Sequence, residues 1–303
     1  MAPNFLMLRS TIYNIDMPDQ LRTLTPAEFP LLLQQIPDRP KKLYLRGKLP
    51  STDHAWLAVV GSRALTPYGI AVCKHLIEGL RGYPLVIVSG LAYGADAAAH
   101  RAALEVGLPT VAVPGSGLDW KTVYPRAHVN LAREIIEKGG ALLSEEEPTT
   151  KAADWTFPKR NRIMAGLCKA TLIIEAKELS GSLITARLTV EYNRELLVVP
   201  GSIFSEESKG THQFLRLGAT PVTSADDILV ALGITKRDAG TLTSLRDDLS
   251  DEEKRVIEII KSPLSRNELI EALELPITEA NVLLSTMEIK GLIAEELGVV
   301  RIR

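Results

Sequence analysis

The chain has 303 residues, 46% hydrophobic and 24% charged, the make-up of a globular protein long enough for about two domains. Lys and Arg number 35 against 37 Asp and Glu, a formal charge of -2. That balance excludes a histone-like basic protein and an acidic tail, but it allows a local cationic patch.

Residues 1–40 read as a short leader. Phe29, Leu32, Leu33 and Ile36 suggest one small apolar-striped helix, ended by Pro37 and Pro40. Residues 41–235 show a regular alternation. Apolar runs at Leu57–Val60, Leu85–Val88, Thr110–Val113, Ala141–Leu143, Thr171–Ile174 and Leu196–Val199 are followed by amphipathic stretches. These stretches lie near Tyr68–Leu80, Tyr93–Glu105, Arg126–Lys138, Arg160–Cys168, Leu183–Asn193 and Thr211–Leu217, with a closing helix at Ala225–Leu232. Short continuous apolar runs between turn residues predict strands buried on both faces. Their alternation with helices predicts an α/β, Rossmann-like, mostly parallel sheet with helices on both faces.

Residues 236–250 are polar and aperiodic, which reads as a linker. Beyond it the pattern predicts helices at Asp251–Lys261 and Arg266–Leu273, and a third running from a Thr278 cap to Lys290. Ser265 and Glu268 are spaced for a capping box. Leu297-Gly298 between two apolar runs suggests a hairpin, so residues 251–303 read as a small winged-helix domain. From Leu249 to Arg303 there are 7 cations and 11 acids, and the third helix carries Glu279 and Glu288. Duplex binding needs cations that release counterions, so this module reads as a protein-docking or regulatory element.

Cys73 and Cys168 have no Cys or His partner at metal spacing and read as buried thiols of a reducing compartment. The first residues carry no basic region followed by an apolar stretch, and no run approaches about 18 apolar residues. Neither a signal peptide nor a membrane segment is expected, and the expected location is cytoplasmic.

Several predicted strands end in glycine and serine: Gly61-Ser62-Arg63, Ser89-Gly90, Gly115-Ser116-Gly117 and Gly201-Ser202, with Ser180-Gly181-Ser182 before a helix. In a parallel sheet these turns share the carboxyl edge, where ligands bind. Gly lets a ligand approach the backbone, and Ser hydroxyls and helix amides suit phosphates. Gly and Ser are also ordinary turn residues, but five such loops on one edge suggest a phosphate-binding rim. Trp120 stands where Gly115–Thr122 would need a glycine for either a dinucleotide fingerprint or a nucleotide-binding P-loop, so neither cofactor is expected.

Trp155–Arg162 holds two aromatics, three cations and an amide: Trp155, Phe157, Lys159, Arg160, Asn161 and Arg162. Cations neutralise a phosphate backbone, and an aromatic face stacks an unpaired base. Cations at a helix start oppose the helix dipole, a conflict a polyanion would relieve. Asp96 and His100, four apart, read as a helix-surface hydrogen bond, and Glu145-Glu146-Glu147 as a solvated loop. No nucleophile–base pair stands at a convincing spacing, and no catalytic or metal residue is assigned.

Six ordered segments give the chain a resemblance to a known family. VVGSRALTPYG, VSGLAYGADAAAH, PGSGLDWKTVYP, LLSEEEPTTKAADWTFPKRNRIMAGL, IIEAKELSGSLITA and VVPGSIFSEESKGTHQFLRLGA resemble, in order, those of the DNA-processing protein A (DprA/Smf) family of bacterial transformation. YPRAHVNL is one residue longer than the family pattern, and His212-Gln213 departs from it. The resemblance implies a non-enzymatic protein without a cofactor that binds single-stranded DNA, forms homodimers and loads a RecA-type recombinase in DNA uptake or recombination. By motif it places Gly61, Ser62, Arg63, Ser89, Gly90, Lys159, Arg160, Asn161, Arg162, Ser180, Gly181, Ser182 and Thr185 on DNA, and Phe157 on a base. The alternative is a Rossmann-like nucleotide phosphoribohydrolase, which needs a carboxylate on the helix after the Ser180–Ser182 loop. None appears there before Glu191, although Glu175 could serve from the strand end.

Overall fold

A computed structural model describes residues 20–235 and 250–302, apart from 261–263, 274, 290–291 and 297–298. The chain divides between residues 239 and 240 into two compact units. Most of the expected linker, residues 236–249, and the first 19 residues of the leader lie outside the described residues.

The first unit is built on one nine-stranded sheet. Its strands are β1 (Arg22–Leu24), β2 (Leu43–Gly47), β3 (Ala55–Val60), β4 (Leu85–Ser89), β5 (Thr110–Ala112), β6 (Ala141–Ser144), β7 (Ala170–Ile173), β8 (Glu195–Val198) and β9 (Thr220–Pro221). Their order is β1-β2-β6-β5-β4-β3-β7-β8-β9. Neighbours from β6 through β9 run parallel, and β2 lies antiparallel between β6 and β1.

Helices α1 (Leu31–Gln34), α5 (Thr156–Leu167), α6 (Ser182–Glu191) and α7 (Lys209–Arg216) contribute to the core on one side, with Trp56, Ala58 and Val60 of β3. On the other side, α2 (Pro67–Glu78), α3 (Ala95–Glu105) and α8 (Ala225–Leu232) pack with Leu57 and Val59. Helix α4 (Val129–Glu137) joins Tyr44 and Leu142 in a third cluster. Alternate β3 side chains thus enter different cores, which is why the run is apolar without a break. The architecture is α/β and Rossmann-like, with helices on both faces of a mostly parallel sheet.

Residues 20–40 do more than lead into this sheet. They supply β1 and α1, and bury Leu24, Phe29, Leu33 and Ile36. β2 was not among the expected strands. Its pattern is alternating, with Leu43 and Leu45 on one face and Tyr44 on the other, as suits an antiparallel strand rather than a doubly buried parallel one.

The second unit holds helices Asp251–Ile259, Arg266–Leu273 and Ile277–Ile289, followed by the antiparallel pair β10 (Ile293–Glu296) and β11 (Val299–Ile302). Its own core includes Val256, Leu269, Leu284, Met287, Ile293 and Val300. Ser265 and Glu268 exchange backbone hydrogen bonds at the second helix start, 2.8 and 3.3 Å long. The Arg266 guanidinium is held by Glu288 and Glu295, at 2.8 and 3.4 Å. Among the described residues no helix is long and apolar enough to cross a membrane.

Candidate nucleic-acid interface

From β3 the chain builds outward to β4, β5 and β6, then returns so that β7 joins the other side of β3. The loops leaving β3 and β7 therefore diverge and open a crevice, the usual ligand position in such sheets. A cleft of about 500 Å³ lies there, lined by Gly61–Arg63, Phe157, Arg160, Asn161, Lys177, Leu179 and Ser180–Ser182, with Asp96 and Thr185.

The floor is set by Arg160. Its Nη1 donates to Gly90 O at 2.7 Å and to Val113 O, and its Nε donates to Asn161 Oδ1 at 3.1 Å. A Cβ on Gly90 would stand 2.1 Å from that Nη1, so only glycine leaves room for the guanidinium. Burial pulls Arg160 down to about 10, with Asp96 opposing the shift, so it stays charged at neutral pH. Buried Asp96 is pushed up by desolvation, with Arg160 opposing, and its carboxylate accepts from Ala92 N at 3.2 Å.

The rim carries the accessible chemistry. The Arg63 guanidinium sits 4.8 Å from the centroid of the Phe157 ring. Phe157 also meets Tyr124, with centroids 6.0 Å apart. A Cβ on Gly115 would approach that Phe157 ring to 2.6 Å, so the glycine of the β5 loop makes space for the aromatic. Across the cleft, Ser180 Oγ and Ser182 Oγ are 2.7 Å apart, and Asn161 Nδ2 donates to Gly181 O at 3.4 Å. Lys177 is exposed and pairs with Glu207 at 3.1 Å. Among the described residues, no carboxylate pairs with Arg63.

The structure thus gathers Gly61, Ser62, Arg63, Phe157, Arg160, Asn161, Ser180, Gly181, Ser182 and Thr185 around one cleft. Four expected positions behave differently. Ser89 is fully buried, and its Oγ donates to Val59 O at 2.6 Å. Gly90 gives its carbonyl to Arg160. Lys159 reaches Glu146 at 2.8 Å and Glu145 at 3.3 Å, and Arg162 pairs with Glu145 and Asp38. Neither cation lines the cleft. Successive helix positions point about 100° apart, so three cations in four residues cannot share one face.

Two smaller readings are corrected. Asp96 and His100 are both buried rather than on the helix surface, and His100 Nδ1 meets Thr110 Oγ1 at 2.7 Å. Glu145 and Glu146 are not a free solvated loop but the partners of Lys159 and Arg162, while Glu147 takes Lys42 and Tyr44. Lys177 and Leu179 were missed. The only sequence signal for them was their place just before Ser180. Gly201 and Ser202 line a neighbouring cleft with Thr66, Tyr68 and Glu175. Both Glu175 oxygens are engaged there: Thr66 donates its Oγ1 at 2.6 Å and its N–H at 2.9 Å.

A family model described as DNA recombination-mediator protein A matches residues 20–233. Protein Smf of Escherichia coli is 42% identical over 209 residues, covering 68% of this chain and 55% of that protein. The chain therefore spans little more than half of that relative's length. DNA processing protein DprA of Streptococcus pneumoniae is 43% identical over 201 residues, covering 66% of this chain and 70% of that protein. The crystal structure of the S. pneumoniae protein matches with a TM-score of 0.64 at 38% identity, over 70% of this chain and 75% of that one. A structure of DNA processing protein A from Helicobacter pylori, reported for its single-stranded DNA binding mode, matches with a TM-score of 0.62 at 30% identity, over 70% and 95%. With its fold, its glycine-lined crevice and these matches in agreement, the chain belongs to the DNA recombination-mediator protein A family.

Proposed function

We propose that this chain is a non-enzymatic, cytoplasmic mediator that binds single-stranded DNA in the switch-point cleft and passes it to a RecA-type recombinase. The observation that carries this reading is the Arg63–Phe157 pair at the rim, 4.8 Å apart and free of a carboxylate partner among the described residues. Arg63 and Lys177 meet phosphates, and Phe157 stacks an unpaired base. Ser62, Ser180 and Ser182 add hydrogen bonds that carry no sequence preference. The single-strand binding mode reported for the H. pylori relative supports the same assignment.

A homodimer doubles the grip, since the second cleft acts at a high effective concentration along one strand. The acidic second unit, which we read as a winged helix, docks a protein rather than duplex DNA. Base hydrolysis requires a carboxylate free to act, and Glu175 is already held by Thr66.

Titration of labelled oligothymidine at several salt concentrations tests the assignment. Log affinity should fall against log salt by about 0.7 per phosphate contacted. A salt-independent affinity, or release of free base from nucleoside monophosphates, would contradict it.

A further inference from the structure

Arg63 is an exposed side chain on the turn from β3 to α2, residues 61–66. A long side chain on a surface turn grips a strand well only if the turn beneath it is fixed. Glu175, two residues past the end of β7, fixes this one on both sides of Arg63. Its backbone carbonyl accepts the Ser62 N–H at 2.7 Å, just beyond the Ile174 N–H that donates to Val60 O at 3.0 Å. Its carboxylate accepts the Thr66 N–H at 2.9 Å and the Thr66 hydroxyl at 2.6 Å.

The chain closes tightly around this residue. A Cβ on Gly61 would stand 3.0 Å from Glu175 O, and one on Gly69 would stand 2.5 Å from Glu175 Oε2. The two glycines let the turn and the first turn of α2 approach Glu175 from either side. Thr66 is also the N-cap of α2, and its Oγ1 accepts the Gly69 N–H at 3.1 Å. Carboxylate, cap and helix are therefore one chain of hydrogen bonds, and such chains hold a geometry better than separate pairs. A helix N-terminus favours an anion. At α2 the protein supplies that anion itself, so the Thr66 amide is already taken and Arg63 is the cationic group the turn presents.

Glu175 does this without standing in the path of the strand. It is only 4% exposed. It lines the neighbouring cleft with Tyr68, Gly201 and Ser202, and it is not among the residues that line the Arg63 cleft. An effect of Glu175 on single-strand affinity must then pass through the turn.

We propose that Glu175 is a positioning residue for single-strand binding: through Ser62 and Thr66 it holds the 61–66 turn so that Arg63 stays against Phe157 and meets a phosphate. The proposal rests on the single-strand-binding reading and adds to it the residue that holds the grip in place.

Oligothymidine affinity of the full chain, followed by fluorescence anisotropy across a salt series, tests it in Glu175→Ala, Arg63→Ala and the two combined. Glu175→Ala should weaken binding about fivefold or more and lower the salt slope by about 0.7, the loss of one phosphate contact. The combined variant should bind within about twofold of Arg63→Ala alone, because the contact that Glu175 positions is already gone. Glu175→Gln can accept the Thr66 N–H and donate to the Thr66 hydroxyl, so it should stay within about twofold of the unaltered chain. If the circular dichroism spectrum of Glu175→Ala shows an unfolded chain, Thr66→Val carries the same cycle against Arg63→Ala, since it removes only the hydroxyl end of the chain of bonds.

Losses that multiply in the combined variant, or an unchanged salt slope in Glu175→Ala, would overturn the positioning role while leaving the cleft intact. So would a loss in Glu175→Gln as large as that in Glu175→Ala. Failure of the unaltered chain to bind oligothymidine would remove the single-strand reading itself.

Discussion

The switch-point cleft and the flank around Glu145 and Glu146 draw their cations from neighbouring motifs but present them differently. At the cleft rim Arg63 leans on Phe157 without a carboxylate partner among the described residues, and exposed Lys177 meets the largely buried Glu207. At the flank Lys159 and Arg162 are matched to three carboxylates, Glu145, Glu146 and Asp38, and the Arg162 side chain is only 12% exposed. Arg160, between them in sequence, is buried beneath the cleft. A run of cations is thus sorted by helix geometry into a floor, a paired flank and nothing on the rim, while the exposed grip comes from other loops. The charge that matters to a polyanion is what remains after the protein has paired its own.

The largest way to sharpen that contrast is Arg160→Ala. Removing a buried guanidinium leaves the buried Gly90 and Val113 carbonyls without their donor and takes a nearby positive charge from Asp96, which should cost about 3–5 kcal/mol of stability in denaturant unfolding. A fully stable variant would mean that Arg160 is not the floor of the site. Next is Phe157→Ala, which should cost about 1–3 kcal/mol in oligonucleotide affinity for each base it stacks. It should act alike on all sequences, and a loss confined to one sequence would contradict sequence-blind stacking.

A third test uses His100. The Thr110 hydroxyl donates to Ile87 O and so accepts from the His100 Nδ1–H, while Nε2 is buried without a hydrogen-bond partner among the described residues. Burial holds this imidazole down to about 3, against an ordinary value of 6.5. Between those values the unfolded chain takes up a proton that the native chain refuses. Stability therefore falls as pH falls through that window, by up to about 1.4 kcal/mol per pH unit. Asp96, raised by burial, acts in the opposite direction. His100→Gln should flatten the acid limb of the unfolding curve, and an unchanged limb would show that this histidine titrates normally. The smallest effect belongs to Lys159→Ala, which takes a half-exposed cation from Glu145 and Glu146 and should cost about 1 kcal/mol. It should alter oligonucleotide affinity less than about twofold, and a larger loss would return the flank to the interface.

The parallel core was legible because strands buried on both faces leave an unbroken apolar signature, as in Leu85–Val88. The Gly and Ser loops were legible for the same reason of position: each follows a strand, so all fall on one edge. β2 was not, because one alternating five-residue segment has no such signature. Nor was the sorting of Lys159, Arg160 and Arg162. Their partners Glu145, Glu146, Gly90 and Val113 come from other strand ends, and side-chain pairing across 13 to 70 residues leaves no mark in local spacing. Lys177 escaped notice because it stands alone between a strand and the serine loop.

The central claim is that the rim at Arg63, and not the paired flank, holds the phosphates of a single strand. Oligothymidine affinity across a salt series, for the unaltered chain, Arg63→Ala and Lys159→Ala, tests it directly. Arg63→Ala should weaken binding and lower the salt slope by about 0.7 with no change in unfolding midpoint, while Lys159→Ala keeps the original slope. An unchanged slope in Arg63→Ala, with the loss appearing in Lys159→Ala instead, would contradict the account.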